Sequence, residues 1–235
     1  MNRSLILLDH DEYTLRLSRM QQAVASCADA AILSDKATLY WLTGRVFAGF
    51  AYVPADGTPL FGLRRCVQFE SDGVTAERKI EDFARHVAAA MPAPGRLALE
   101  MDSSSYSAVA RISAAFAAQW PDAETVNAGA ALRAMRAVKT PQQIEMMRRS
   151  GLRQEAVYRR IPAIYTPGMT DYELQVEIER ESRLEGCLGQ FRTAGDEMEL
   201  FMGNVLTGDN ADTPSPYDFA MGGAGMDPSL PVGAD

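Results

Sequence analysis

The sequence predicts an α/β fold in which a mixed sheet with flanking helices forms the first part of the chain. Short apolar runs typical of buried strands alternate with segments whose apolar residues recur at spacings of three and four, which indicates amphipathic helices. An Asp-Gly pair at residues 56–57, between two apolar runs, is a strong signal for an antiparallel hairpin. The order of these segments favours a compact mixed α/β domain, followed by a second segment that begins near residue 141.

The first elements lie between residues 9 and 63. Apolar residues at positions 13, 17, 20 and 24 predict a helix that either Asp9 or Asp11 can cap. We predict a short buried strand at residues 31–33. The β-branched and aromatic run at residues 38–44 indicates a further strand, which Gly44 ends. Residues 46–53 and 59–63 then flank the Asp-Gly pair as the two arms of the hairpin.

Two helices and two strands complete the predicted first domain. Apolar residues at positions 80, 83, 87 and 91 share one helical face, and Pro92 ends that helix. Residues 96–100 predict a strand that leads into a serine-rich cap at 103–105 and a helix carrying apolar residues from 106 to 116. Val126 marks the last strand. We therefore predict a domain at residues 1–130 and a linker at residues 131–140.

The second segment, residues 141–235, begins with two predicted antiparallel helices. Thr140 can cap the first helix, whose first residue is Pro141, and Thr170 with Glu173 forms a capping box for the second. Residues 191–205 are strand-like but polar, and residues 207–235 are rich in proline and glycine. Such a long loop-like run is typical of an active-site loop or of an incomplete domain, and we expect a missing remainder.

Composition limits the classes of partner. The formal net charge of -8 disfavours nucleic acid. No apolar stretch approaches the roughly 18 residues of a membrane span, and residues 1–8 lack the features of a signal peptide. Three well-separated cysteines, at positions 27, 66 and 187, disfavour a disulfide framework or a zinc site. We predict a reduced, cytoplasmic protein with neither nucleic acid nor a membrane as partner.

Three groups of residues, taken in order, resemble the Xaa-Pro peptidase and creatinase family. They are Tyr-Trp-Leu-Thr-Gly at 40–44, Arg-Ala-Val-Lys-Thr-Pro at 136–141 with Ile-Glu-Met-Met at 144–147, and Pro-Gly-Met-Thr at 167–170 with Glu-Leu at 173–174. The resemblance covers nearly the whole chain. It implies a creatinase-type N-terminal domain, followed over residues 141–235 by the N-terminal part of an incomplete α+β pita-bread catalytic domain.

The resemblance also implies metal-dependent hydrolysis by a full-length protein. In the family, two divalent ions, Mn, Co or Zn, are held by two aspartates, a histidine and two glutamates, all downstream of the segment that residues 208–234 resemble. We therefore expect no metal ligand and no activity in this chain alone. Family peptidases usually carry another histidine near the stretch that residues 208–210 resemble. Here only His10 and His86 exist, and Ser215 or a neighbour stands in that place and cannot act as an imidazole.

Five residues are candidate substrate contacts on this resemblance, and none is assigned as catalytic. Asn210, Ser215 and Tyr217 lie in the loop that the family places at its substrate pocket, although a plain turn with Asx hydrogen bonds explains them equally well. Trp41 and Arg45 lie in and beside the run at 40–44, and in family dimers the N-terminal domain of one subunit edges the partner's active site. Trp41 is also typical of a core residue.

These features imply the N-terminal portion of a homodimeric hydrolase that resembles Xaa-Pro dipeptidases and aminopeptidases and acts on a small peptide or small amide. Two alternatives stay open. One is a non-catalytic pita-bread-like binding module, whose acidic charge would suit basic partners. The other is a non-peptide C–N hydrolase or lyase of the same superfamily, because substrate specificity is set by the site and not by the fold.

Overall fold

The computed structural model describes residues 4–64, 73–192, 199–203 and 205–214, which fall into two compact units divided between Thr140 and Pro141. Unit 1 contains five helices and six strands among these residues: α1 (His10–Ala25), β1 (Ala30–Leu33), α2 (Lys36–Thr43), β2 (Gly49–Pro54), β3 (Leu60–Leu63), β4 (Val74–Ala76), α3 (Ile80–Ala90), β5 (Arg96–Leu99), α4 (Tyr106–Ala117), β6 (Glu124–Asn127) and α5 (Gly129–Ala137). A single 3-10 turn at Met101–Ser103 follows β5.

The strands of unit 1 form one sheet in the order β4-β3-β2-β1-β5-β6. β2 is antiparallel to both β1 and β3, whereas β1 with β5, β5 with β6 and β3 with β4 are parallel pairs. The β2–β3 hairpin turns at Gly57, whose φ of +110° lies in the region that favours glycine. The predicted α/β fold with a mixed sheet and the predicted hairpin are both confirmed.

Helices cover both faces of the sheet, because successive side chains of each strand point to opposite sides. Ala31 and Leu33 of β1 belong to an apolar cluster that includes residues of α1, α2 and α5. Ala30 and Ile32 belong to a second cluster, which includes residues of α3 and α4. The central strand is consequently buried along its whole length.

The strand predicted for residues 38–44 is wrong, because this segment forms helix α2. The side chain of Asp35 caps the helix by accepting a hydrogen bond from the Thr38 backbone N–H at 3.0 Å. At the other end Gly44 adopts a left-handed conformation, with φ of +74°, and its N–H donates to the Tyr40 carbonyl at 2.7 Å. The helix buries Trp41 and Leu42 in the core, a packing gain that outweighs the β preference of the run.

Two elements of unit 1 lie where the sequence predicts none. β4 pairs with β3 and extends the sheet at one edge. α5 spans residues 129–137, which include most of the segment assigned to a linker, and its Leu132 is buried in the same cluster as Met20 of α1. The packed part of unit 1 thus continues beyond Ala130 along the chain.

Unit 2 contains α6 (Pro141–Ile164), α7 (Asp171–Leu184), β7 (Gln190–Arg192), β8 (Glu199–Phe201) and α8 (Gly208–Asp212). The predicted capping box is present at the start of α7, where the Glu173 N–H donates to the Thr170 hydroxyl at 3.1 Å and the Thr170 N–H donates to the Glu173 carboxylate at 2.9 Å. β7 and β8 pair antiparallel. None of the helices in the described ranges has the length and apolar character needed to span a membrane.

Candidate functional site

The end of α2 separates the two candidate residues of unit 1. Trp41 lies in the core with 4% of its surface exposed, and its indole N–H has no hydrogen-bond partner among the described residues. Gly44 then turns the chain outward. Arg45 is half-buried and donates from Nη2 to the Ser4 carbonyl at 3.0 Å, while the next residue, Val46, is 67% exposed. Arg45 is therefore only partly accessible from solvent, since its Nε is buried, whereas the Trp41 ring lies in the core.

Exposed apolar side chains occur at the end of α2 and in the N-terminal segment that pairs with it. The N-terminal segment lies against the last turn of α2, where the Leu7 N–H donates to the Thr43 carbonyl at 2.8 Å. Leu7 and Tyr40 remain exposed there, although most large apolar side chains of unit 1 are buried. Exposed apolar side chains of this kind are typical of a binding or association surface where they form a patch. We name this surface the α2 edge and define it as Leu7, Tyr40, Arg45 and Val46.

A buried ion pair lies directly behind the α2 edge. Arg16 Nε donates to Glu12 Oε1 at 2.5 Å, and Arg16 Nη1 donates to the Trp41 carbonyl at 2.7 Å. The guanidinium also lies over the Trp41 ring, 5.5 Å from its centroid, at a distance typical of cation–π contact. On the other side, the Thr140 hydroxyl donates to Glu12 Oε1 at 2.6 Å. We call Glu12, Arg16 and Thr140 the α1 clamp.

Sequence reasoning did not identify the α1 clamp, although one signal was present. Glu12 and Arg16 precede Met20 and Val24 at a constant spacing of four residues, and these four are the buried residues of α1. A spacing of four places side chains on one helical face. A charged pair that continues an apolar face indicates a buried ion pair, but its third partner, Thr140, is 128 residues away and cannot be identified from local spacing.

A second buried carboxylate joins β1 to α2. Glu100 follows β5, is 5% exposed, and accepts hydrogen bonds through Oε2 from the backbone N–H groups of Ser34 and Asp35 at 2.8 and 2.9 Å. Burial raises the pKa of Glu100; the nearby Asp35 carboxylate adds to this increase, while hydrogen bonds from Thr38, Asp35 and Ser34 oppose it. The Thr38 hydroxyl also accepts a hydrogen bond from Arg136. Glu100 thus fixes the beginning of α2, as the α1 clamp fixes its end.

The raised pKa of Glu100 predicts a pH dependence of stability. A carboxyl group whose pKa is higher in the folded than in the unfolded protein stabilises the fold most when it is protonated, and this contribution is lost as the pH rises through the folded pKa. We expect the free energy of unfolding of the wild type, relative to Glu100→Gln, to increase as the pH falls from neutral toward 4.5, the ordinary value. Urea unfolding of both proteins at several pH values measures this difference. A difference that stays constant with pH would contradict the raised pKa.

Of the three candidate residues of unit 2, one falls within the described residues. Asn210 belongs to α8, whereas Ser215 and Tyr217 lie outside the described residues. A cavity of about 390 Å³ lies in unit 2 between α6 and the end of α7, and its lining includes Arg149, Arg153 and Cys187. Arg160 of α6 pairs with Glu181 of α7, and the earlier Arg153 lies near the later Gly186, so the two helices run antiparallel, as predicted.

Metal-ligating side chains do not cluster in the part of the chain that the structure describes. Within residues 4–64, 73–192, 199–203 and 205–214, no group of three or more histidine, cysteine, aspartate or glutamate residues could hold a metal ion. The described residues therefore do not fit the dinuclear centre that the resemblance implies. No catalytic step through metal ions can be assigned to them.

Residues 16–138 match the family model described as the creatinase/prolidase N-terminal domain. This match covers more than half of the 235-residue chain and includes α2, the α2 edge residues Tyr40, Arg45 and Val46, and Arg16 of the α1 clamp. Comparison with curated proteins gives no significant match.

Solved structures of three peptidases are similar to this chain. The Xaa-Pro dipeptidase from Bacillus anthracis has a TM-score of 0.60 at 17% identity, over 81% of this chain and 58% of that chain. The X-Pro aminopeptidase from Thermotoga maritima MSB8 has a TM-score of 0.59 at 23% identity, over 72% and 50%. The prolidase from Pyrococcus horikoshii OT3 has a TM-score of 0.56 at 13% identity, over 80% and 57%. At these identities the likeness concerns the fold, and this chain spans 50 to 58% of the length of each.

Proposed function

Because this chain belongs to the creatinase/prolidase family through its N-terminal domain, we propose that it forms the first part of a hydrolase of the Xaa-Pro dipeptidase type. One observation carries the proposal. The likeness to the Xaa-Pro dipeptidase extends over 81% of this chain, and unit 1 ends at residue 140 of 235, so that the likeness includes residues of unit 2. On this proposal residues 141–235 are the N-terminal part of a pita-bread catalytic domain, and the substrate is an Xaa-Pro dipeptide or a related small amide.

The α2 edge is the surface through which we propose that unit 1 contributes to a substrate site. Arg45 supplies a permanent positive charge at its centre, which suits the carboxylate of a short peptide. Leu7, Tyr40 and Val46, which are all exposed, supply apolar contact area. Trp41 contributes to this surface indirectly, through the contact of its ring with the Arg16 guanidinium. Asn210, Ser215 and Tyr217 remain proposed contacts from unit 2, and a homodimer in the cytoplasm remains the proposed state of the protein.

The metal centre of such a hydrolase needs ligands that the described residues do not provide. Both histidines of the sequence, His10 and His86, lie in unit 1, so unit 2 has no imidazole to offer. Two divalent ions, Mn, Co or Zn, belong to the proposal only for a protein with further ligands. The same observation favours a second candidate function, a pita-bread-like module that binds peptides or proteins without hydrolysing them.

A hydrolysis assay separates the two candidates. The 235-residue chain and, where the reading frame continues past the codon for Asp235, its complete product are each incubated with an Xaa-Pro dipeptide and Mn²⁺, with and without a chelator. We expect no turnover by the chain alone and chelator-sensitive turnover by the complete product. Turnover by the chain alone would contradict the proposal that it is only the first part of the enzyme. A complete product that binds the peptide without cleaving it would favour the binding module.

A further inference from the structure

We infer that Glu12 and Arg16 are positioning residues. They couple the hydrogen bond made by the Thr140 hydroxyl to the conformation of the α2 edge. Thr140 is the last residue of unit 1, and Pro141 begins α6. The coupling lies within unit 1, and its role toward a substrate rests on the proposed function of the α2 edge.

Arg16 binds a carbonyl group in the last turn of α2. The last four carbonyl groups of a helix have no partner within the helix, and Trp41 supplies one of these four in α2. The neighbouring carbonyls are held by other groups, since the Tyr40 carbonyl accepts from Gly44 and the Thr43 carbonyl accepts from Leu7. Arg16 therefore holds the Trp41 carbonyl at the turn from which the chain leads to Arg45.

Arg16 and Thr140 of the α1 clamp bind the same oxygen atom of Glu12. Glu12 Oε1 accepts hydrogen bonds both from Arg16 Nε and from the Thr140 hydroxyl. All three residues are buried, so water does not readily replace a lost partner. A change at Thr140 must therefore alter the hydrogen bonding of Glu12. Because Glu12 orients the Arg16 guanidinium, that change reaches the Trp41 carbonyl and ring.

Fluorescence of Trp41 provides a direct test. The chain has two tryptophans, and Trp120→Phe leaves Trp41 as the only one. In this background, Thr140→Val removes the hydroxyl with little change in volume, whereas Thr140→Ser keeps it. We expect Thr140→Val to shift the emission maximum of Trp41 and increase its quenching by acrylamide, and we expect Thr140→Ser to leave both unchanged. The exposed Thr125→Val on β6 is the matched control, for which no change is expected.

A double-mutant cycle separates the coupling from a simple loss of the helix cap that the sequence predicts for Thr140. Loss of the cap would add to the effect of Glu12→Gln, whereas two changes within one hydrogen-bonded network do not add. We expect the unfolding equilibrium constant of the Thr140→Val, Glu12→Gln protein to differ by about threefold or more from the product of the single effects. If Glu12→Gln does not fold, Arg16→Lys replaces it in the cycle.

Additive effects together with an unchanged Trp41 spectrum in Thr140→Val would overturn the inference. Neither measurement depends on peptide hydrolysis. A protein that shows the coupling and has no hydrolase activity would therefore contradict the proposed function alone, whereas an active protein without the coupling would contradict only the positioning role of Glu12 and Arg16.

Discussion

The Arg16→Met variant is expected to lose about 3 to 5 kcal/mol of free energy of unfolding, because the substitution leaves the buried Glu12 carboxylate without its charged partner. The Trp41 carbonyl loses its donor at the same time, and the Trp41 ring loses the cation above it. Methionine retains much of the length of the arginine stem, so that lost volume contributes little. Urea unfolding followed by circular dichroism measures the change.

A matched control for Arg16 is present in α3. Arg85 pairs with Asp82 one turn away, but its side chain is 64% exposed, and Arg85→Met is expected to cost less than about 1 kcal/mol. A double variant, Glu12→Leu with Arg16→Met, removes both buried charges and is expected to recover part of the lost stability. An Arg16→Met protein as stable as Arg85→Met would show that the ion pair is not buried in solution.

Replacing Phe83 with alanine is expected to cost about 3 to 5 kcal/mol, since it removes a fully buried ring from the core below the sheet. The ring stacks on Phe50 with centroids 5.8 Å apart, and it lies so close to β3 that a Cβ built on Gly62 would be 2.5 Å from its Cδ2. Because backbone and ring meet there directly, the surrounding side chains can close the resulting cavity only in part. Thermal and urea unfolding of Phe83→Ala measure the loss.

The contact with Gly62 supplies an internal control for Phe83. Gly62→Ala is expected to destabilise the wild type, because the new methyl group overlaps the ring, and to have a much smaller effect once Phe83 is alanine. The exposed Tyr106→Ala removes an aromatic ring of similar size and should change stability by less than about 0.5 kcal/mol. Equal effects of Gly62→Ala in both backgrounds would contradict the packing described here.

The sequence predicts those elements of the fold whose signals are local. The capping residue Asp9 and the apolar spacing identify α1, Gly57 identifies the hairpin, and the pair of Thr170 and Glu173 identifies the start of α7. Residues 38–44 were mispredicted because an eight-residue helix buried on one side has too few turns for its spacing to outweigh β-branched and aromatic composition. Its two caps, Asp35 and Gly44, were the better signal.

The candidate site is less accessible to sequence reasoning, because its contacts join distant residues. A family resemblance points to Trp41 and Arg45, of which Trp41 is buried and Arg45 is half-buried. Glu100 contacts Ser34 across 66 residues, and Thr140 contacts Glu12 across 128. No periodicity links such partners. A buried polar residue can be suspected from its place on an apolar face, but its partner is defined only once the chain has folded.

The position of β1 at the centre of the mixed sheet has a consequence for the order of folding. On one side β1 meets β2 through the short connection that contains α2, so the β1–β2–β3 half can close over small loops as soon as about the first quarter of the chain is available. On the other side its parallel partner β5 begins only at Arg96, after β2, β3, β4 and α3. Parallel pairs need such long crossovers, which form slowly. During synthesis, one edge of β1 therefore stays unpaired until β5 has been made, and this exposed edge is a target for chaperones.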